Sequence, residues 1–205
     1  MTSAISSDVI VEPLLIGSVQ EAKAGRLVLA TVTSIRTATR HVLVDTGGFN
    51  QWDALRERLQ SLPPVTDLVL THFHWDHCAN VRQFARVSIY ANPMVGTLDR
   101  ATLVDVLGVP MVAVQEGDCV AGVAEIFLVP GHTANHLAVR VATSAGRVTV
   151  AGDAVAHIED ARQGCPRLVF HSEELARASL RRILEVSDWV IPGHGNPFAV
   201  ADVVS

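Results

Sequence analysis

The chain has 205 residues, 49% of them apolar and 18% charged, with a net charge of -5. That length and composition fit one folded domain, residues 1–205, with an ample core, and exclude an intrinsically disordered chain. No apolar run approaches the roughly 20 residues a bilayer span needs, and the acidic balance disfavours nucleic acid as a partner while leaving room for a small local groove.

Met1 to Asp8 lack the basic segment of a secretion signal, which points to the cytoplasm. Val9 to Ile16 and Arg26 to Ile35 read as two early strands of a hairpin or meander, and Val42-Leu43-Val44 as a third that delivers Asp45 into the turn Asp45-Thr46-Gly47-Gly48. Asn50 is placed as an N-cap with Asp53 three residues on. Trp52, Leu55, Leu59 and Leu62 then recur at helical spacing up to Pro63-Pro64, so this helix should lie against a sheet. After the run Leu68-Val69-Leu70, a short helix is expected from Cys78 to Ala85, followed by a strand at Val87 to Tyr90. Residues 92–111 are apolar and punctuated by Pro and Gly; they fit a wall or lid, or equally an ordinary surface connection. Strands follow in quick succession to Ala151. Ser172 can cap a helix to about Val186 whose buried stripe would be Leu175, Leu180, Ile183 and Leu184. On that helix Arg177, Arg181 and Arg182 read as a solvated face, with a phosphate-binding patch as the lesser alternative. Cys78, Cys119 and Cys165 are odd in number and widely spaced, so no disulfide framework is expected.

The most informative stretch is Thr71-His72-Phe73-His74-Trp75-Asp76-His77, with four metal-binding side chains in six positions. Imidazole nitrogen and carboxylate oxygen suit a borderline-soft divalent ion such as zinc. In a short turn His72 and His74 can face one way and Asp76 and His77 the other, so one loop could serve two adjacent ions. Three further apolar runs end in a candidate ligand: one before Gly131-His132, one before Gly152-Asp153 and one before Gly193-His194. A glycine beside each lets the backbone come close to an ion. Cys78 directly follows His77 and is expected as a small buried residue rather than an extra ligand.

In these residues the chain resembles the metallo-β-lactamase-fold hydrolases. The pattern HxHxDH stands at His72 to His77, the later lone His at His132, the bridging Asp at Asp153, the last His at His194, and an early signature at Val44-Asp45-Thr46-Gly47-Gly48. The resemblance implies a four-layer αββα sandwich of the α/β class, two mixed β-sheets flanked by helices, with metals at one edge. It implies that His72, His74 and His132 hold one ion, that Asp76, His77 and His194 hold the other, and that Asp153 bridges them. Two divalent ions are therefore expected, zinc first, with iron or manganese as alternatives. Such a pair lowers the pKa of bound water to ~7 and polarises the oxygen under attack. Asp76 is the candidate to orient the resulting hydroxide and pass a proton to the leaving group. Asp45 reads either as a support for a ligand histidine or as a plain turn residue.

Departures from the pattern narrow the choice within the family. Exported β-lactamases of this fold usually carry Cys or Ser where Asp153 stands. Flavin-linked di-iron relatives place Glu at the position of His74. Glyoxalase-II-type enzymes append a helical domain, for which no chain follows Ser205, and several RNA-cleaving relatives need an insertion. Lactonases share the ligand set but usually offer a late tyrosine, whereas the only tyrosine here is Tyr90. In length and local wording the chain also looks like the small proteins called metallo-β-lactamase-domain-containing, some of which cut RNA. The expected function is a dinuclear hydrolase of an ester, lactone or thioester in a small metabolite; the alternative is a phosphodiesterase or nuclease with the same metals. Homo-oligomerisation is left open. Trp75 is a candidate for the pocket floor, His136 and His157 for metal support or substrate contact, and His171 more weakly so. Phe49 and Phe198 are candidates for an apolar rim.

Overall fold

The computed structural model describes residues 9–22, 25–92 and 108–204. Strand β1 (Ile10–Leu15) is followed by the hairpin of β2 (Ser18–Ala22) and β3 (Gly25–Leu29), which forms a separate two-stranded sheet. β4 (Val32–Arg36) pairs antiparallel with both β1 and β5 (His41–Val44). Parallel pairing then adds β6 (Asp67–Val69), β7 (Ser88–Ala91) and β8 (Val112–Ala113), giving the sheet order β1-β4-β5-β6-β7-β8. The second sheet contains β9 (Cys119–Val120), β10 (Ala124–Leu128), β11 (Leu137–Thr143), β12 (Gly146–Gly152), β13 (Trp189–Pro192) and β14 (Phe198–Ala199). Its order is β14-β13-β12-β11-β10-β9, with β12 and β13 parallel and the other pairs antiparallel. Both sheets are thus mixed.

Side-chain alternation along the strands sorts the core into three layers, because successive residues of a strand point to opposite faces. Val42, Val44 and Val69 meet Ile126, Leu137, Val139, Val150 and Ile191 between the sheets. Leu43, Leu68 and Leu70 face outward onto Leu55 and Trp52 of helix α1 (Trp52–Gln60). On the far side Phe127, Ala138, Ala151 and Val190 face the helices that lie between β12 and β13 in the chain. Continuous apolar runs such as Val42-Leu43-Val44 are the pattern of strands covered on both faces. The result is an αββα sandwich. No described helix is long and apolar enough to cross a membrane.

Several local expectations need correction. The early segment forms four strands before β5 rather than two: the run Arg26 to Ile35 divides between β3 and β4, β2 is additional, and β1 pairs with β4 while β2 and β3 pair with each other. Gly17 breaks the first run: a Cβ there would stand 2.4 Å from the Gly193 carbonyl oxygen, so the backbones touch and the chain turns out of the sheet. Asn50 caps nothing; it lies within a 3₁₀ turn, Phe49–Gln51, and Gln51 precedes α1. The helix expected from Cys78 begins earlier, as α2 (Trp75–Cys78), and a separate 3₁₀ turn spans Val81–Phe84. Cys78 is buried in the core as expected, which pushes its thiol up to about 12. The wall or lid expected at 92–111 falls largely on residues 93–107, outside the described residues.

Helix α3 (Ile158–Gln163) and helix α4 (Glu173–Val186) complete the outer layer. Ser172 caps α4, its hydroxyl accepting the Leu175 N–H at 3.3 Å. The buried stripe runs through Ala176, Ser179, Leu180 and Ile183, with Leu184 partly covered. Leu175 is 40% exposed instead, because it sits one helical step, about 100°, off the line through Ala176. Leu180→Ala should therefore cost about 2–5 kcal/mol in chemical denaturation, and Leu175→Ala no more than about 0.5 kcal/mol.

A buried polar network lies at the opposite end of the first sheet from the His-rich loop. The His41 Nδ1–H donates to the Pro63 carbonyl at 2.7 Å, and its Nε2 accepts from the Ser34 hydroxyl at 2.9 Å. Burial lowers the His41 pKa from its ordinary 6.5; the Pro63 bond opposes this and the nearby Arg36 charge adds to it. Above 6.5 the ring is neutral both folded and unfolded. Below it the unfolded chain takes up a proton that folded His41 resists, so stability should fall as pH drops through that window. At matched metal loading, His41→Gln should show a shallower loss of stability between pH 7 and 5 than the parent.

Candidate metal centre

The His-rich loop hangs from the C-terminal end of β6 and is fixed by Asp45, which follows β5. Asp45 adopts a positive φ of 63°, uncommon for a residue with a side chain. Its Oδ1 accepts the Thr71 N–H at 2.8 Å, and its Oδ2 accepts the Thr71 hydroxyl at 2.8 Å and the His77 Nδ1–H at 2.7 Å. The sequence left Asp45 between support and turn residue; it performs both tasks. Asn80, which sequence reasoning missed, donates its amide to the Thr46 and Gly48 carbonyls at 2.9 and 2.8 Å, tying α2 to the same turn. His74 is extended and precedes α2, whereas Asp76 and His77 lie in its single turn. That change of backbone conformation sends the two halves of the motif in different directions.

The remaining candidate ligands arrive from the second sheet: His132 after β10, Asp153 after β12 and His194 after β13. All are buried. Potential ligand atoms of His72, His74, His132 and Asp153 form one group, and those of Asp76, His77 and His194 a second, each within 4.8 Å internally. Asp153 stands between them. Its Oδ1 is 3.2 Å from both His77 Nε2 and His194 Nε2, and its Oδ2 is 3.5 Å from His132 Nε2. Asp76 Oδ2 lies 3.6 Å from the Nε2 atoms of His77 and His194. Gly193 makes room for this carboxylate, since a Cβ there would fall 2.0 Å from Asp153 Oδ1.

The outward hydrogen bonds settle which nitrogens face inward with lone pairs. His132 Nδ1–H donates to the Leu168 carbonyl at 2.8 Å and His194 Nδ1–H to the Leu29 carbonyl at 2.9 Å, because a carbonyl can only accept. His77 donates to Asp45. His72 Nδ1 faces the Thr71 oxygen at 3.0 Å, whose own proton is committed to Asp45, so the ring is again the donor. Four Nε2 atoms therefore aim acceptor lone pairs at one small space. His72 Nε2, His77 Nε2 and Asp153 Oδ1 are buried there with no hydrogen-bond partner. Leaving such groups unsatisfied costs about 1–3 kcal/mol each. A divalent cation satisfies them, and outward N–H donation is how proteins orient metal-binding imidazoles. The donor set fits a borderline-soft ion.

Without a metal, protons carry part of that load. Burial alone would raise the Asp153 carboxyl and lower His77, but their mutual attraction outweighs it, holding Asp153 well below the usual carboxylate range and His77 well above the usual histidine range. His72, too deep and surrounded by other imidazoles, is pushed well down.

Above the cluster opens a cleft of about 560 Å³. Its walls are Leu27 and Val28 of β3, Phe49, Trp75, Leu168 and Phe170; Arg26 and Asn50 stand at its edge, and His74, Asp76, His132, Asp153 and His194 at its base.

A family model for the metallo-beta-lactamase superfamily matches residues 25–194. The chain belongs to that superfamily. Its members are metal-dependent hydrolases, and this chain is an enzyme of that kind. It is 34% identical over 165 residues to metallo-beta-lactamase domain-containing protein 1 of Xenopus laevis, covering 78% of this chain and 68% of the frog protein. Against the Homo sapiens protein of the same name it is 32% identical, covering 78% of this chain and 59% of that one. The chain thus spans roughly two thirds of the length of these relatives. Among solved structures, a B. thuringiensis AiiA variant with N-decanoyl-L-homoserine at its active site superposes with a TM-score of 0.67 at 15% identity, covering 88% of each chain. TTHA1623 in a di-iron-bound form gives 0.63 at 21% identity, covering 91% of this chain and 96% of that one.

Within this superfamily fold the less certain expectations separate. Trp75 lines the cleft, 56% exposed and stacked on Phe49 at 5.9 Å. His136 does not line the cleft. Its ring stacks on His72 at 4.6 Å and its Nε2 accepts the Asp153 N–H at 3.1 Å, so it supports two candidate ligands from behind. His157 precedes α3 with its ring 5.8 Å from that of His194, also outside the cleft lining. His171 is exposed. Phe198 is buried beneath α4, which removes it from the rim. Arg177 and Arg182 pair with Glu173 and Glu116, the latter guanidinium lying over Phe127, so the phosphate-patch alternative loses both. Phe170 and Leu168 went unnoticed because an aperiodic loop carries them.

Asp45→Ala would strip three buried donors of their acceptor, and should lower stability by on the order of 3 kcal/mol. Metal content measured by elemental analysis should fall with it, whereas Asp45→Asn, which keeps one acceptor oxygen, should lose less of both.

Proposed function

We propose that this chain is a dinuclear metal hydrolase cleaving an ester, lactone or thioester bond in a small, largely uncharged molecule. His72, His74 and His132 would hold one divalent ion, Asp76, His77 and His194 the second, with Asp153 shared; zinc suits the nitrogen-rich donor set best. The observation that carries this reading is the Asp153 carboxylate between two groups of buried, inward-facing donors. Bound there, such ions supply Lewis acidity and bring the pKa of water to ~7.

The chain's own residues supply the rest. Asp76 is the one carboxylate among the candidate ligands with substantial side-chain exposure, 21%, so it can hold a water near the bond and return a proton to the leaving group. His77 and His194 keep it in place through their own anchored rings. Leu27, Leu168 and Phe170 limit water at the reacting bond. An uncharged carbonyl substrate is favoured over a phosphodiester by the cleft's charge. Arg26 is the only arginine or lysine lining it among the described residues, and it is paired with Glu21 at 2.9 Å. The N-acyl homoserine lactone hydrolases similar in fold act on such an uncharged carbonyl bond.

The test is elemental analysis of purified protein joined to a panel of esters, lactones, thioesters and bis(p-nitrophenyl) phosphate, with and without chelator. Two metals per chain and chelator-sensitive cleavage of a carbonyl substrate are expected. Two metals with no carbonyl substrate cleaved would reject the reading, and faster phosphodiester cleavage would replace it. Asp76→Asn should retain most of the metal while kcat falls about 10²–10⁴-fold; an unchanged kcat removes Asp76 from proton transfer.

A further inference from the structure

We propose that the mouth of this cleft is a binding site for an apolar acyl chain, and that Trp75, Phe49 and Phe170 make the enzyme prefer long-chain over short-chain acyl substrates. As a statement about turnover this rests on the hydrolase reading; as a statement about binding it needs only the metal-loaded cleft. Four aromatic side chains are strongly exposed among the described residues, and three of them, Phe49 at 71%, Trp75 at 56% and Phe170 at 72%, stand on this one cleft. They come from three separate segments: the turn before α1, the start of α2 and the loop between α3 and α4. A single exposed aromatic needs no explanation, but a contiguous apolar patch around a polar base marks a ligand surface.

The geometry also says which part of a ligand is recognised. Phe170 meets the His74 and His132 rings edge-on, each at 5.3 Å, so apolar surface begins directly against the candidate ligands. On the other side Trp75 follows His74 in sequence and lies nearly parallel to Phe49, with 26° between the rings. Leu27 and Leu168 continue the wall. The group that contacts these surfaces must be attached within a few bonds of the reacting carbonyl, as an acyl chain is. Among the described residues no carboxylate other than the candidate ligands lines the cleft, and the one lining cation, Arg26, is already paired. A charged substituent at this position would lose hydration without gaining a partner. The volume, about 560 Å³, is that of a small-molecule pocket, typically ~300–1,000 Å³.

The probes are straight-chain hydroxamates from acetyl to decanoyl, titrated calorimetrically into metal-loaded protein, beside kcat/KM for the matching p-nitrophenyl esters. Affinity should rise about two- to fourfold per added methylene over the first several carbons, the burial of one methylene being worth up to about fourfold. Trp75→Ala and Phe170→Ala should each cut the decanoyl-to-acetyl affinity ratio about tenfold, and Trp75→Phe should restore most of it. Trp189→Ala, an exposed aromatic in a different groove, should leave the ratio unchanged. Equal affinity across the series, no binding by any member, or an unaltered ratio in both alanine variants overturns the acyl site. A chain-length gradient in binding with no ester turned over would sink the hydrolase reading alone; turnover of every ester with a flat gradient would sink only the acyl site.

Discussion

Imidazole lone pairs repel one another, and the fold nevertheless drives four Nε2 atoms toward the same few ångströms of buried space. It does so by spending the opposite nitrogen of each ring on an acceptor that cannot give a proton back: Leu168, Leu29, Asp45 and a Thr71 hydroxyl already committed to Asp45. The direction of those outward bonds is the constraint on which the site depends. Reverse any one tautomer and a buried carbonyl or carboxylate loses its donor while the cluster gains an N–H pointing at the place a cation would occupy. The arrangement is therefore stable only in company with positive charge, whether a divalent ion or the shared protons that hold His77 up and Asp153 down.

That constraint explains why the two sheets must be registered against each other. The Thr71 carbonyl in the first half accepts the Leu137 N–H of β11 at 2.9 Å, and the Thr31 N–H donates to the Gly193 carbonyl at 2.8 Å. These backbone bonds cross between the halves on either side of the cluster. Gly17 belongs to the same seam, its N–H bonded to Thr31 Oγ1 at 3.0 Å and its missing side chain leaving space for the Gly193 carbonyl. The β2–β3 hairpin departs from this seam, so its placement over the cleft is inherited from the geometry that also holds His194. A shift of the seam by a few tenths of an ångström would disturb a candidate ligand and a cleft wall together.

The parts that sequence exposed and the parts it hid differ in kind. His72, His74, Asp76, His77, His132, Asp153 and His194 could be picked out because a strand end, a small residue and a ligand-type side chain coincide at each, and such coincidences survive without knowledge of packing. The apolar runs gave the sheets for a related reason: Val42-Leu43-Val44 is covered on both faces, so every residue in it is hydrophobic. Strand β2, and the break between β3 and β4, were hidden because the β2–β3 hairpin is largely exposed and carries no alternation for the core to impose. Leu175 was misassigned because one leucine among several cannot reveal which side of a helix Gly131 will press; a Cβ on Gly131 would stand 2.3 Å from the Ala176 backbone, so this close approach decides the face. His136 could not be separated from a substrate contact, since its role lies in a ring stack and one backbone bond made 17 residues away.

The energetic consequence concerns folding as much as chemistry. Three buried acceptors without partners at about 1–3 kcal/mol each amount to a sizeable share of the roughly 5–15 kcal/mol by which domains of this size are stable. A cation that satisfies them binds the folded chain and not the unfolded one, so its binding free energy becomes folding free energy. The second sheet contributes three candidate ligands after β10, β12 and β13, and in the absence of the ion their attraction to the first half rests on protonated imidazoles and a few backbone bonds. Metal loading should then tighten the contact between the two halves more than it tightens either sheet, because the ligands straddle that contact while the interior of each sheet is already sealed by close-packed aliphatic side chains.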